Sequence, residues 1–216
     1  MAAIKYLNKK MSTELNKLYN NTYESFIDLL VDISKTSVNS KQLEILIKLD
    51  FFSEFGEINT LLRQRNIFDK FYGRKTLKID EVQQLGLTEQ HIAQLGGQAT
   101  AKMVKDLDII GLIKLLCDNQ NYPKTTVIDK INYEQECLGY INIRLPQLSE
   151  QYAYILSVEG SKNKFVKLYR LKTGETEMLK VKADAFNASP LSEQMIIKTI
   201  AAGEEKKWKK RSINTS

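Results

Sequence analysis

Tyr152-Ala153-Tyr154-Ile155-Leu156-Ser157-Val158 and Phe165-Val166-Lys167-Leu168-Tyr169-Arg170-Leu171 are aromatic and β-branched runs separated by Glu159-Gly160-Ser161-Lys162-Asn163. Two such runs around a Gly-containing turn predict a β-hairpin. A second turn, Lys172-Thr173-Gly174-Glu175, leads into a strand over Thr176–Val181, and Gln194–Ala201 reads as a further strand ahead of a Lys-rich tail. Along the first run Tyr152 and Tyr154 share a face with Leu156 and Val158, which points to core. Along the second, Phe165, Lys167 and Tyr169 alternate onto one face while Val166 and Leu168 occupy the other.

Upstream, as far as about residue 140, the pattern is helical. Phe26, Leu29, Leu30 and Ile33 recur at helical spacing, with Asn21 and Glu24 offering a capping box. Asn39 with Gln42 caps the next helix, whose stripe is Leu43, Leu46, Ile47 and Leu49, and Gly56 stops it. A third helix spans Glu57–Phe71. Shorter helices are predicted at Thr88–Leu95, Lys102–Asp106 and Asp108–Cys117, and a longer one at Thr125–Tyr140. Residues 72–80 read as a basic turn. The grammar changes over residues 143–151, so the predicted architecture is α+β, with a helical region over 1–145 and a β domain with a basic tail over 146–216.

The chain has 216 residues, 43% hydrophobic and 27% charged, with formal charge +6. That balance predicts a folded protein rather than a disordered or fibrous one. Residues 162–216 carry 13 Lys and Arg against 6 Asp and Glu, whereas residues 1–161 carry 19 against 20. A basic excess confined to one end is the electrostatic footprint of a polyanion partner. Four or five short antiparallel strands cannot leave long edges bare, so a small, partly open barrel of the oligonucleotide-binding (OB) type fits both strand count and charge. No apolar run reaches the ~20 residues that span a bilayer, so no membrane partner and a cytoplasmic location are expected. Cys117 and Cys137 read as buried thiols in a reducing compartment. The single His91 lies in the first turn of a predicted helix and suits a solvated surface better than a zinc site or a catalytic triad. With no phosphate-binding glycine loop, no cofactor and no metal site are expected.

An OB domain grips single strands with a basic groove and aromatic faces on which bases stack. The candidate contacts are Lys167 and Tyr169, then Arg170, Lys172, Lys180 and Lys182, then Trp208 and Lys209 within the tail's run of cations. For Tyr169 a place in the barrel core is equally open, and for the tail a purely solubilising role.

Together these segments resemble the C-terminal region of the alpha subunit of bacterial DNA polymerase III, the C-family replicative polymerase. The resemblance runs from about Ala3 to Trp208. Ala3-Ile4-Lys5-Tyr6-Leu7-Asn8-Lys9-Lys10 is similar to the family's lead-in to a helix-hairpin-helix pair. Asn39 to Lys48 followed by Phe51-Phe52-Ser53-Glu54-Phe55-Gly56 is similar to its second hairpin. Tyr133-Glu134-Gln135-Glu136-Cys137-Leu138-Gly139-Tyr140 looks like its junction with an OB domain, and Lys164–Lys180 and Met195–Trp208 resemble that domain's strands. Tyr6, Asn8 and Asp50 stand where the family has Gly, and Arg144-Leu145-Pro146 where it has Gly-His-Pro. A side chain at such a hairpin obstructs the approach of backbone amides to phosphate, and Asp50 would repel it.

The resemblance implies a helix-hairpin-helix-like helical region, an OB-like β domain and a part in DNA replication. It implies single-stranded DNA as partner, with duplex DNA, a sliding clamp and polymerase subunits as further ones. Gln64-Arg65-Asn66-Ile67-Phe68 is similar to the pentapeptide by which the family engages the clamp, with Gln64, Ile67 and Phe68 filling its pocket. Polymerisation in the family rests on palm-domain carboxylates that hold two Mg²⁺, and no acidic pair in a strand-like context stands in for them here; Asp106 and Asp108 lie at a helix start, where they suit the dipole. Whether the chain belongs to an enzyme is open, and its own expected role is non-catalytic, as a separately encoded C-terminal piece or part of a longer chain. A scaffold that docks onto a polymerase core or clamp, with the Lys excess only solubilising, is the alternative.

Overall fold

The computed structural model describes residues 9–118, 122–161, 163–202 and 205–210, with side chains as far as Thr199 except at Tyr19. Mixed helix and antiparallel sheet divide into two compact units, Tyr6–Lys124 and Thr125–Ser216. The first contains α1 (Lys9–Tyr19), α2 (Phe26–Ile33), α3 (Ser40–Lys48), a 3₁₀ turn (Ser53–Phe55) and α4 (Ile58–Phe71). It continues with β1 (Thr76–Lys78), α5 (Ile79–Gln84), α6 (Glu89–Gln94), β2 (Gln98–Ala99), β3 (Met103–Lys105) and α7 (Ile109–Asp118). The second contains α8 (Val127–Leu138), β4 (Tyr152–Glu159), β5 (Lys164–Arg170), β6 (Thr176–Val181), α9 (Ala183–Ala188), β7 (Ile196–Ala202) and β8 (Glu205–Lys210). The division precedes the change in residue pattern at 143–151, because α8 places Val127 and Ile131 in the core of the β unit.

In the helical unit α2, α3 and α7 pack around α4. Its fully buried side chains include Leu30, Leu46, Ile47, Leu61, Phe71, Leu112 and Ile113. The N-cap of α2 is Ser25, whose Oγ accepts from the Asp28 amide at 3.3 Å, in place of the expected Asn21. Asn39 forms the expected capping box, accepting from the Gln42 amide at 2.9 Å and donating its own to Gln42 Oε1 at 3.0 Å. Asp50, just past α3, has φ +64°, the left-handed region where Gly costs least.

Between α4 and α7, two expectations from the sequence give way. Residues 102–106 contain strand β3 instead of a helix, and the basic turn at 72–80 holds β1 and the start of α5. The three strands pair antiparallel in the order β1-β3-β2, with Leu77 opposite Val104 and both fully buried. The β-branched Val104 gains more from that inner face than a single helical turn could offer. Gly97 makes the closure possible, since a Cβ there would lie 2.9 Å from Ile92 Cγ2 and 3.0 Å from Val104 Cγ1.

The β unit is a five-stranded antiparallel sheet in the order β6-β5-β4-β7-β8. Its inner face buries Ala153, Ile155, Val166, Leu168, Leu179, Val181, Leu191 and Ile197. Part of the outer face is buried as well: Tyr154, Tyr169, Leu171 and Ile196 pack with Val127 and Ile131 of α8 and with Ile141, Ile143, Leu145 and Leu148 of the segment that follows. A bulge at Leu156 shifts the β4–β5 register, so Val158 joins the inner core while Tyr152, Tyr154 and Leu156 stay outside. The shared face expected for Val158 and the two tyrosines is thus broken. Cys117 and Cys137 are both buried and unbridged.

One ion pair gives the helical unit a pH dependence. Arg74 holds Glu81 through two hydrogen bonds of 2.6 and 2.7 Å, and this lowers the Glu81 carboxyl below its ordinary value. A carboxyl lowered on folding contributes stability above its unfolded pKa and loses it as pH falls through the folded one. With both partners partly exposed, the pair is worth about 0.5–1 kcal/mol. Thermal melts should show Glu81→Gln lowering Tm by about 1–4 °C at neutral pH, with the difference vanishing once the pH is taken below the titration of the folded carboxyl.

Candidate nucleic-acid interface

β5 and β6 meet with Phe165 opposite Lys180, Val166 opposite Leu179, and Lys167 opposite Met178. Directly opposed residues share a face, with Cβ atoms about 4.5–5.5 Å apart. Val166 and Leu179 therefore point into the inner core, and Phe165, Lys167, Met178 and Lys180 project together from the outer face. All four are exposed, Phe165 at 42% and Met178 at 57% relative accessibility. Ser157, opposite Lys167 on β4, extends the face, and Glu159, opposite Phe165, bounds it with one acid. The arrangement interleaves two apolar surfaces with two cations on adjacent strands.

The β4–β5 turn at one end of this face depends on Gly160. Its φ is +93°, and a Cβ there would collide with the carbonyl oxygen of Asn163. Lys164 donates to the Gly160 carbonyl at 2.6 Å and lies over the Phe186 ring of α9 at 5.4 Å, which fixes the turn from the inner side.

The residues expected to bind from the sequence separate into distinct groups. Lys167 and Lys180 lie on the exposed face just described. Lys182, also exposed, takes the N-cap position of α9. Tyr169 is 4% exposed, and its hydroxyl donates to the Ile143 carbonyl at 2.9 Å. Burial raises its phenol above the ordinary value. The core place left open for Tyr169 is therefore where it sits, and it offers no ring to a base. Arg170 points to the opposite face from Lys167. It donates to the Glu150 and Gln151 carbonyls at 3.1 and 3.2 Å and to Thr199 Oγ1 at 2.9 Å, and pairs with Glu177. Those bonds commit its guanidinium to holding β5, β7 and the β4 lead-in together. Lys172 pairs with Glu150 at 3.0 Å.

Trp208 and Lys209 lie in β8, in register with Thr199 and Lys198 of β7; their side chains lie outside the described residues. The first expected hairpin, around Tyr6 and Asn8, also lies outside them. Gln64, Ile67 and Phe68 lie within about one turn of α4 rather than on an exposed peptide. Phe68 is 5% exposed and stacks on Tyr72 at 4.3 Å between centroids, so its ring is already spent on the core. His91 is partly buried at the surface of α6, and its Nδ1 accepts from the Thr88 amide at 3.2 Å, which makes it a capping residue of that helix.

Met178 and Ser157 escaped the sequence reading for different reasons. The alternation Met178-Leu179-Lys180-Val181 carries the signal for Met178, because it places Met178 and Lys180 together opposite Leu179 and Val181. Ser157 reaches the outer face only through the bulge, which period-2 counting cannot see. Among the described residues no group of three or more His, Cys, Asp or Glu is placed to hold a metal ion, and no helix is long and apolar enough to cross a membrane. Comparison with known proteins finds no matching family model, no matching curated protein and no matching solved structure.

Tyr169 and Lys167 can be told apart by experiment. Tyr169→Phe should destabilise the β unit by about 1 kcal/mol through the lost bond to Ile143, and Tyr169→Ala by about 3–5 kcal/mol, in urea unfolding followed by circular dichroism. Lys167→Ala should leave the unfolding midpoint unchanged.

Proposed function

We propose that the β unit is an OB-like module that binds single-stranded nucleic acid, within a chain resembling the C-terminal region of the DNA polymerase III alpha subunit and serving DNA replication without itself catalysing. The observation that carries this reading is the paired exposure of Phe165 with Lys180 and of Lys167 with Met178 on two neighbouring strands. A base needs an apolar surface to stack on and a cation within reach of its phosphate, and this face offers both side by side.

The element order supports the fold assignment. Three consecutive strands form a meander, a helix follows the third, and the fourth strand returns to pair with the first and carries the fifth. OB modules bind oligonucleotides across their second and third strands and the loop joining the first two. Here those are β5, β6 and the turn after Glu159, where the exposed face lies. In the helical unit, the left-handed backbone at Asp50 falls where the resemblance expects Gly, which supports a helix-hairpin-helix-like origin for that turn. Met178 favours the alternative of a protein-docking face, since exposed Met is enriched in such interfaces.

Fluorescence anisotropy with a labelled single strand at two salt concentrations separates the two. The OB reading expects binding that weakens steeply with salt. Phe165→Ala should weaken it roughly 5- to 150-fold, the equivalent of one stacked base. Lys167→Ala with Lys180→Ala should flatten the salt slope by about 0.7 for each phosphate that is no longer neutralised. Tyr169→Phe should bind as the parent does. Absence of binding at low salt overturns the reading and leaves protein docking as the role of the face.

A further inference from the structure

Inside the helical unit, β1, α5, α6, β2 and β3 form a small module whose element order is that of a winged helix-turn-helix. A helix, α4, precedes a first strand; two short helices follow, joined by residues 85–88 with Gly86 at φ +67°; a two-stranded hairpin closes back on the first strand in the order β1-β3-β2. A Gly-containing turn of three or four residues between two helices is the hallmark of the helix-turn-helix, whose second helix enters the major groove of DNA. α5 packs on β1 and α6 on β2, and Ile92, Val104 and Leu107 converge on Gly97. The second helix is thereby held against the sheet by one face only.

What the module turns outward suits a groove. Gln90 and Gln94 are exposed one turn apart on α6 with Ala93 between them, and Gln98 is exposed on β2 just beyond. Amide side chains carry a donor and an acceptor together, and Gln pairs bidentately with adenine in the major groove. The turn between β2 and β3 is built rather than loose: the Thr100 amide and hydroxyl both donate to the Met103 carbonyl at 2.8 Å, and the Met103 amide returns a bond to Thr100 Oγ1 at 3.1 Å. It presents Lys102 to solvent. Lys78 and Lys105 are exposed on the outer face of the sheet, and Lys75 is exposed just before β1. Glu89 is the one acid on α6, at its first position, and Asp80 and Asp106 are exposed elsewhere on the module, so its recognition face is amide-rich and its flanks are basic.

We infer that this module is a second nucleic-acid site, one that docks on duplex DNA with α6 in the major groove and the Thr100–Lys102 turn against the adjoining backbone. It is independent of the single-strand face on the β unit. Double-stranded RNA is disfavoured, because its deep, narrow major groove does not admit side chains.

The full chain is titrated by fluorescence anisotropy against labelled duplex DNA, duplex RNA of the same sequence and single-stranded DNA. Three variants are compared with the parent: Gln90→Glu with Gln94→Glu, Lys102→Glu, and Phe165→Ala. The proposal expects duplex DNA binding to fall roughly tenfold or more in the double Gln variant. It expects Lys102→Glu to weaken duplex binding and flatten its salt slope. Single-strand binding should hold in both variants, and Phe165→Ala should leave duplex binding intact. All changed side chains are exposed, and an unchanged circular dichroism melt confirms that the module still folds. The proposal is overturned if duplex DNA does not bind at low salt, if duplex RNA binds equally well, or if the folded Gln and Lys102 variants bind duplex as the parent does. Loss of duplex binding in Phe165→Ala alone would also overturn it, by placing the duplex on the sheet face.

Discussion

Tyr169 joins the segment at residues 141–148 to the sheet through one hydrogen bond, and the reach of that segment decides which part of β5 meets solvent. Beyond the bond to Ile143, the Leu145 amide donates to the Leu171 carbonyl at 2.7 Å, and Glu134 of α8 accepts from the Asn142 and Ile143 amides at 2.7 and 2.9 Å. These bonds satisfy backbone groups that burial would otherwise leave costly. They also stop the cover partway along the strand. Tyr169, beneath the cover, is core; Phe165 and Lys167, on the same side of the same strand but past its end, are surface. Chemically similar positions two residues apart thus acquire opposite roles from a contact made elsewhere in the chain.

The same logic explains why charge is an incomplete guide to this face. Arg170 and Lys172 add to the basic total of the C-terminal quarter, yet both are tied to Glu177 and Glu150. A cation already bound to a carboxylate brings less to a phosphate, because it gives up one partner to gain the other. Position on the pleat, rather than number of cations, distinguishes Lys167 and Lys180 from their neighbours.

Much of the architecture was legible in the sequence because it rests on local rules. The stripe of Phe26, Leu29, Leu30 and Ile33, the box made by Asn39 and Gln42 and the alternation of Val166 and Leu168 all work within a few residues. What was not legible depends on distant partners. Met103-Val104-Lys105 is too short to announce a strand, and becomes one only because Leu77 lies across from it. The bulge at Leu156 has no local signature and reverses the faces of everything after it in β4. Phe68 illustrates the limit from the other side: a pentapeptide that fits a recognition motif also fits a helix, and its buried ring belongs to the helix. In the candidate site, Lys167 followed from alternation and Lys180 from its charge, whereas the removal of Tyr169 and Arg170 followed from hydrogen bonds to residues about twenty or more positions away.

Cys117 lies in the helical unit and Cys137 in the β unit, each about 95% shielded from solvent. Burial pushes the Cys117 thiol up to about 11, so at neutral pH it holds almost no thiolate, the form that reacts. An alkylating reagent therefore meets either sulfur only when the surrounding unit opens. With one sulfur per unit, the two labelling rates act as separate clocks for local opening. The chain carries its own means of asking whether its halves breathe together or apart.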